Sequence, residues 1–159
     1  MQRIELTAGW RESLLHVAMV IELGVAVVLV LLFEVNAVVL ALLLTACIVH
    51  EITLWSDLRY AAARRRIPVV EQWVHGWQIV LPWAGLALLA VMHADQALAL
   101  VGFAGRAGDW QLRPKVPPLP PGQIATVLTA AALLVATPFA EELLRAWRRT
   151  IMEDRATLR

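Results

Sequence analysis

The stretch LLHVAMVIELGVAVVLVLLF, residues 14–33, is apolar apart from two ionisable residues, His16 and Glu22, and one glycine. A helix needs about 20 predominantly apolar residues to cross the roughly 30 Å hydrocarbon core of a bilayer. Because lipid offers no hydrogen-bond partners to the backbone, a spanning segment of this kind must be helical. The stretch therefore predicts a first transmembrane helix.

Three further apolar runs follow, at about 37–55, 69–92 and 124–142. Hydrophobic residues make up 60% of the chain and charged residues 17%, with a mean hydropathy of +0.67. Soluble domains are about 45–50% apolar and about 25% charged. The sequence thus predicts an all-α membrane protein, a single domain over residues 1–159 whose four transmembrane helices form an antiparallel bundle. A long loop, 93–123, would join the third span to the fourth.

The basic residues predict the orientation of the spans. With both termini on one side, eleven of the 14 Lys and Arg residues lie on that side, which the positive-inside rule makes cytoplasmic. We therefore expect a multi-pass protein of a bacterial inner (plasma) membrane, with the loop 93–123 in the periplasm. A net charge of +1 without a basic stripe argues against nucleic-acid binding. The eleven residues are Arg3, Arg11, Arg59, Arg64, Arg65, Arg66, Arg145, Arg148, Arg149, Arg155 and Arg159.

Ionisable side chains lie inside or at the ends of all four spans. Such residues are costly in a membrane and indicate a functional site. Because the helices alternate in direction, most of these residues are expected at one depth, in the cytoplasmic leaflet. The candidate metal ligands are His16, Glu22, His50, Asp57, Glu71, His75 and Glu141.

Helical spacing narrows this set. Glu71 and His75 are four residues apart and share a face, and His50 and Asp57 are two turns apart on one face. His16 and Glu22 are six apart, so only one of them is expected to be a direct ligand. Carboxylate and imidazole ligands favour iron, manganese or zinc. The ligand types are similar to those of ferritin-like dinuclear bundles, although the paired Glu-x-x-His motifs of those proteins are missing here.

Three functions follow from this pattern. The first is a metal-dependent membrane protein with one or two metal ions. With iron, it would be an oxidoreductase that acts on a lipid-like or quinone-like substrate, and with zinc a hydrolase. The second is a b-type cytochrome: four spans with both ends inside, and the opening Leu14-Leu15-His16, resemble the small bacterial cytochrome b561-like electron carriers. That resemblance implies a haem b held by two of His16, His50 and His75.

The third is a non-catalytic membrane subunit of a larger complex, or a homo-oligomer, in which the polar layer only holds helices together. Polar contacts between helices in membranes average only about 0.6 kcal/mol. In such a role, the many ionisable groups would contribute little to stability.

Overall fold

The computed structural model describes residues 9–103 and 107–157, and no β-strand occurs within these ranges. A single π-helical turn, Ala132–Ala136, joins the last two helices. The predicted all-α fold is confirmed. The helices are α1 (Gly9–Leu32), α2 (Ala37–Ala62), α3 (Val69–Met92), α4 (Ala94–Leu100), α5 (Pro121–Ala131) and α6 (Thr137–Thr157).

Four helical segments in the described ranges are long and apolar enough to cross a membrane. The chain is therefore a multi-pass membrane protein. Helix α2 and helix α6 continue beyond the apolar runs predicted at 37–55 and 124–142. Arg3, Arg106 and Arg159 lie outside the described residues. The four segments long and apolar enough to cross a membrane are Trp10–Leu32, Ala37–Ala62, Val69–Met92 and Pro121–Arg149.

Helices α1 and α2 form the centre of the bundle. Helix α1 packs against α2 and α6, and α2 also packs against α3 and α4. Met19 on α1 and Leu54 on α2 are among the most deeply buried apolar side chains. Many large apolar residues, such as Ile21 and Leu134, are instead exposed on outward faces. Lipid solvates these faces, so the bundle does not have to bury them.

The two ends of the bundle differ in composition. At one end α1 begins, α2 ends and α3 begins, and Arg11, Arg59 and residues 64–66 lie there. We call it the basic end, and the opposite one the far end.

At the far end the loop 93–123 is tied to the turn between α1 and α2. Asn36 caps α2 and its Nδ2 donates to the Gln111 carbonyl at 2.8 Å. The backbone N–H of Lys115 donates to the Leu32 carbonyl at 2.8 Å. These bonds satisfy backbone groups where the helices end.

Candidate metal centre

Three ionisable side chains from three helices meet in the basic half of the bundle. They are His16 on α1, Asp57 on α2 and His75 on α3, with exposed fractions of 7%, 0% and 5%. Asp57 Oδ2 lies 3.3 Å from His16 Nε2 and 3.7 Å from His75 Nε2. One potential ligand atom from each residue lies within 4.8 Å of the other two. We call these residues the triad.

Helical phase explains why these side chains point inward. His50, Leu54, Asp57 and Ala61 are all buried on α2, at spacings of four, three and four residues. That spacing defines one face of a helix. On α3, every residue of which is described, His75 alone is buried. It is therefore the main side chain that α3 contributes to the interior.

The fourth span contacts the triad through Glu142. His16 Nδ1 donates to Glu142 Oε1 at 3.1 Å, and Ser13 Oγ donates to the same oxygen at 3.0 Å. The Phe139 ring packs edge-on against the His16 ring, with centroids 5.5 Å apart. Sequence reasoning chose Glu141 instead, whose exposed side chain pairs with Arg145 at 2.6 Å. Glu142 faces α1, and Ala146, one turn later on α6, is also buried.

These contacts require a positive charge between His16 and Asp57. A carboxylate oxygen only accepts hydrogen bonds, so Nδ1 of His16 is assigned the proton that it donates to Glu142. In neutral His16, the lone pair of Nε2 then faces the Asp57 carboxylate at 3.3 Å. Two acceptors at that distance repel each other unless a positive charge lies between them. A proton or a metal ion fills that requirement.

Ion pairs formed by one arginine lie on the side of the triad that faces the basic end. Arg65, in the turn between α2 and α3, donates to both carboxylate oxygens of Glu71, at 2.9 and 2.5 Å, and to Glu12 at 2.5 Å. The hydrogen bond with Glu71 is the main reason that the pKa of Arg65 is raised above its ordinary value. Glu12 and Glu71 each lie one turn before a triad histidine. Arg65 therefore joins the starts of α1 and α3, and occupies both oxygens of the predicted ligand Glu71.

With its carboxylates ionised and its histidines neutral, the cluster would carry excess negative charge. Among the described residues, its contacts include four carboxylates, on Glu12, Asp57, Glu71 and Glu142, and the guanidinium of Arg65. Asp57 Oδ1 has no hydrogen-bond partner among the described residues. Buried carboxylates are strongly unfavourable without compensating charge or hydrogen bonds. A divalent cation at the triad would offset this excess.

Two predicted ligands lie in a separate layer, nearer the membrane centre. His50 Nδ1 is 3.5 Å from Glu22 Oε2, and Thr53 Oγ donates to Glu22 at 2.7 Å. Met19 and Leu54 are buried between these residues and the triad. The structure thus divides the expected single polar layer into two. We call His50 and Glu22 the mid-membrane pair.

No protein-family model, curated protein or solved structure matches this chain. The function must therefore be inferred from the site. The haem hypothesis stays a prediction, and the contacts of the histidines do not favour it. Both nitrogens of His16 face carboxylates, and His50 lies in a different layer from His16 and His75.

Proposed function

We propose that this membrane protein binds a divalent metal ion through His16 Nε2, Asp57 and His75. The spacing of the ligand atoms carries the proposal. Zinc binds imidazole and carboxylate at about 2.0–2.2 Å, so two ligands of a tetrahedral ion lie about 3.3–3.6 Å apart. The 3.3 Å contact of Asp57 with His16 lies in that range, its 3.7 Å contact with His75 is slightly longer, and all three ligand atoms lie within 4.8 Å of one another.

Glu142 supports the same proposal. A metal-bound histidine almost always donates its other N–H to a carboxylate, a carbonyl or water, which orients the ring. The bond from His16 Nδ1 to Glu142 has this geometry and directs Nε2 toward Asp57. Ser13 in turn holds the Glu142 carboxylate.

Two histidines and one carboxylate form the ligand set of catalytic zinc sites and of non-haem iron sites, both of which keep open positions. Structural zinc sites are almost always closed by four protein ligands. The set therefore favours an enzyme over a structural site. Zinc would direct it toward hydrolysis, and iron toward oxygen chemistry on a lipid-like or quinone-like substrate. Manganese is the third metal that these ligands suit.

We further propose that the basic end faces the cytoplasm of a bacterial cell, with the triad in the cytoplasmic leaflet. The arginines of the basic end support this under the positive-inside rule. A reporter that is active only in the cytoplasm should give signal when fused after Arg159 and none when inserted at Lys115. The opposite pattern would reverse the orientation.

The metal proposal is tested on the full chain purified in detergent, by elemental analysis and a visible spectrum. We expect one iron, manganese or zinc ion per chain in the native protein and none in Asp57→Asn, which removes the central charge. Glu51→Gln is the matched control, because Glu51 accepts from Trp83 and lies outside the triad. A Soret band in place of a metal ion would indicate haem. If neither a metal ion nor haem were found, the cluster would have a structural role.

A further inference from the structure

Four arginines at the basic end have exposed side chains. Arg11 lies at the start of α1, Arg59 in the last turn of α2, and Arg64 and Arg66 in the turn between α2 and α3. None of the four forms an ion pair with a carboxylate among the described residues. Their charges are therefore available to an anion outside the protein.

The turn between α2 and α3 is held against the start of α1. Arg65, in this turn, donates to Glu12, the residue that follows Arg11. The backbone that carries Arg11 is therefore adjacent to the backbone on either side of Arg65, where two more of the exposed arginines lie. We call the four exposed arginines together the arginine surface.

Two of these guanidinium groups are positioned by aromatic rings. Arg64 lies over the Tyr60 ring, 3.6 Å from its centroid, and its Nη1 donates to the Tyr60 carbonyl at 3.0 Å. Arg11 lies 5.6 Å from the centroid of the Trp10 ring. A guanidinium stacked on a ring keeps the donors at its edge, and that fork matches the oxygens of a phosphate. Arg64 in particular is held in place with donors to spare.

Exposed apolar side chains border the arginine surface on α3. This helix begins at Val69, three residues after Arg66. Val69, Val70 and Trp73 have exposed fractions of 69%, 75% and 68%. Such side chains contact acyl chains in a membrane, and Trp is typical of the boundary between hydrocarbon and headgroups. A soluble acidic partner would account for the arginines but not for the apolar side chains beside them.

We propose that the arginine surface binds an anionic phospholipid, with the phosphate on the arginines and the acyl chains along Val69, Val70 and Trp73. One basic residue near a membrane surface strengthens the attraction for anionic lipid about fivefold. The headgroup cation of a zwitterionic phospholipid would be repelled by the arginines, so such a lipid should bind more weakly. The proposal does not depend on a metal ion at the triad, to which none of the four arginines belongs.

Binding is tested with the full chain in detergent, freed of native lipid, by native mass spectrometry, which resolves each bound lipid molecule. The probes are phosphatidylglycerol and phosphatidylcholine with the same acyl chains. We expect the first phosphatidylglycerol to bind about fivefold or more tightly than the first phosphatidylcholine. Equal affinity of the two lipids would overturn the proposal. Glycerol phosphate has the phosphate without acyl chains and should not compete. Competition by it would indicate a site for free phosphate and would also overturn the lipid proposal.

Two double variants test the arginines themselves. Arg64→Gln with Arg66→Gln removes two charges and should abolish most of the preference for phosphatidylglycerol, whereas Arg64→Lys with Arg66→Lys keeps the charges and should retain it. Arg113→Gln is the control at the far end, where Arg113 is exposed and pairs with Asp109 at 3.5 Å. An unchanged preference in the Gln double variant, or an equal loss in Arg113→Gln, would contradict the proposal.

Metal content is measured in the same preparations. A preference for phosphatidylglycerol in protein that holds no metal refutes only the metal proposal. Bound metal without that preference refutes only the lipid proposal.

Discussion

The triad and the mid-membrane pair use the same residue types, yet their surroundings differ. At the triad, side chains from four spans contact one another, and Asp57 lies 3.3 and 3.7 Å from two histidines. At the pair, only α1 and α2 contribute, and His50 lies 3.5 Å from Glu22. The triad lies toward the basic end, whereas the pair lies near the middle of α1 and α2.

The difference indicates that the number of helices converging on a histidine, and not its residue type, determines which groups surround it in this bundle. Three ligand atoms around one point concentrate negative charge and lone pairs, which suits a cation. Substitutions in the triad and in the mid-membrane pair should therefore have different effects on metal binding.

The largest expected effect is a difference in metal content between variants of the triad histidines and a variant of the histidine in the mid-membrane pair. His75→Ala and His16→Ala each remove one of three ligands and should lose the bound metal on dialysis. His50→Ala should keep the native metal content, because Met19 and Leu54 separate it from the triad. Elemental analysis of the three variants measures this. If His50→Ala also lost the metal, the two layers would have to be treated as one site.

An intermediate effect is expected from the adjacent carboxylates of the fourth span. Glu142→Gln weakens the acceptor that orients His16, and changes outside the ligands typically weaken metal binding by about 10–100-fold. Glu141→Gln alters only an exposed pair with Arg145 and should leave the affinity unchanged. Competition with a metal chelator measures both variants. Equal losses would show that the contact between Glu142 and His16 does not orient the ring.

The smallest effect on metal binding is expected at Glu71. Its two oxygens are held by Arg65, so Glu71→Gln should weaken metal binding by less than the tenfold or so typical of outer residues. The loss of one charged partner of a buried ion pair should instead lower the unfolding temperature. Chelator competition and thermal unfolding of the same variant test this. Complete loss of metal would restore Glu71 as a direct ligand, as its spacing from His75 predicts.

The sequence alone was sufficient for the membrane fold. Apolar runs of spanning length, such as residues 14–33, leave the backbone no alternative to a helix in lipid. Ionisable residues inside those runs or at their ends, including His16, Asp57 and His75, indicated a site because a membrane tolerates few such groups. Spacing along one helix also paired Glu71 with His75, although it could not show that Arg65 would bind Glu71.

Only the tertiary structure decided which of these residues meet. The shift of each helix along its axis and its rotation depend on packing between helices, for which one chain's hydropathy contains no information. These variables brought His16, Asp57 and His75 together and placed His50 with Glu22 beyond Met19 and Leu54. They also turned Glu142 toward His16 and Glu141 outward, because neighbours on a helix point about 100° apart.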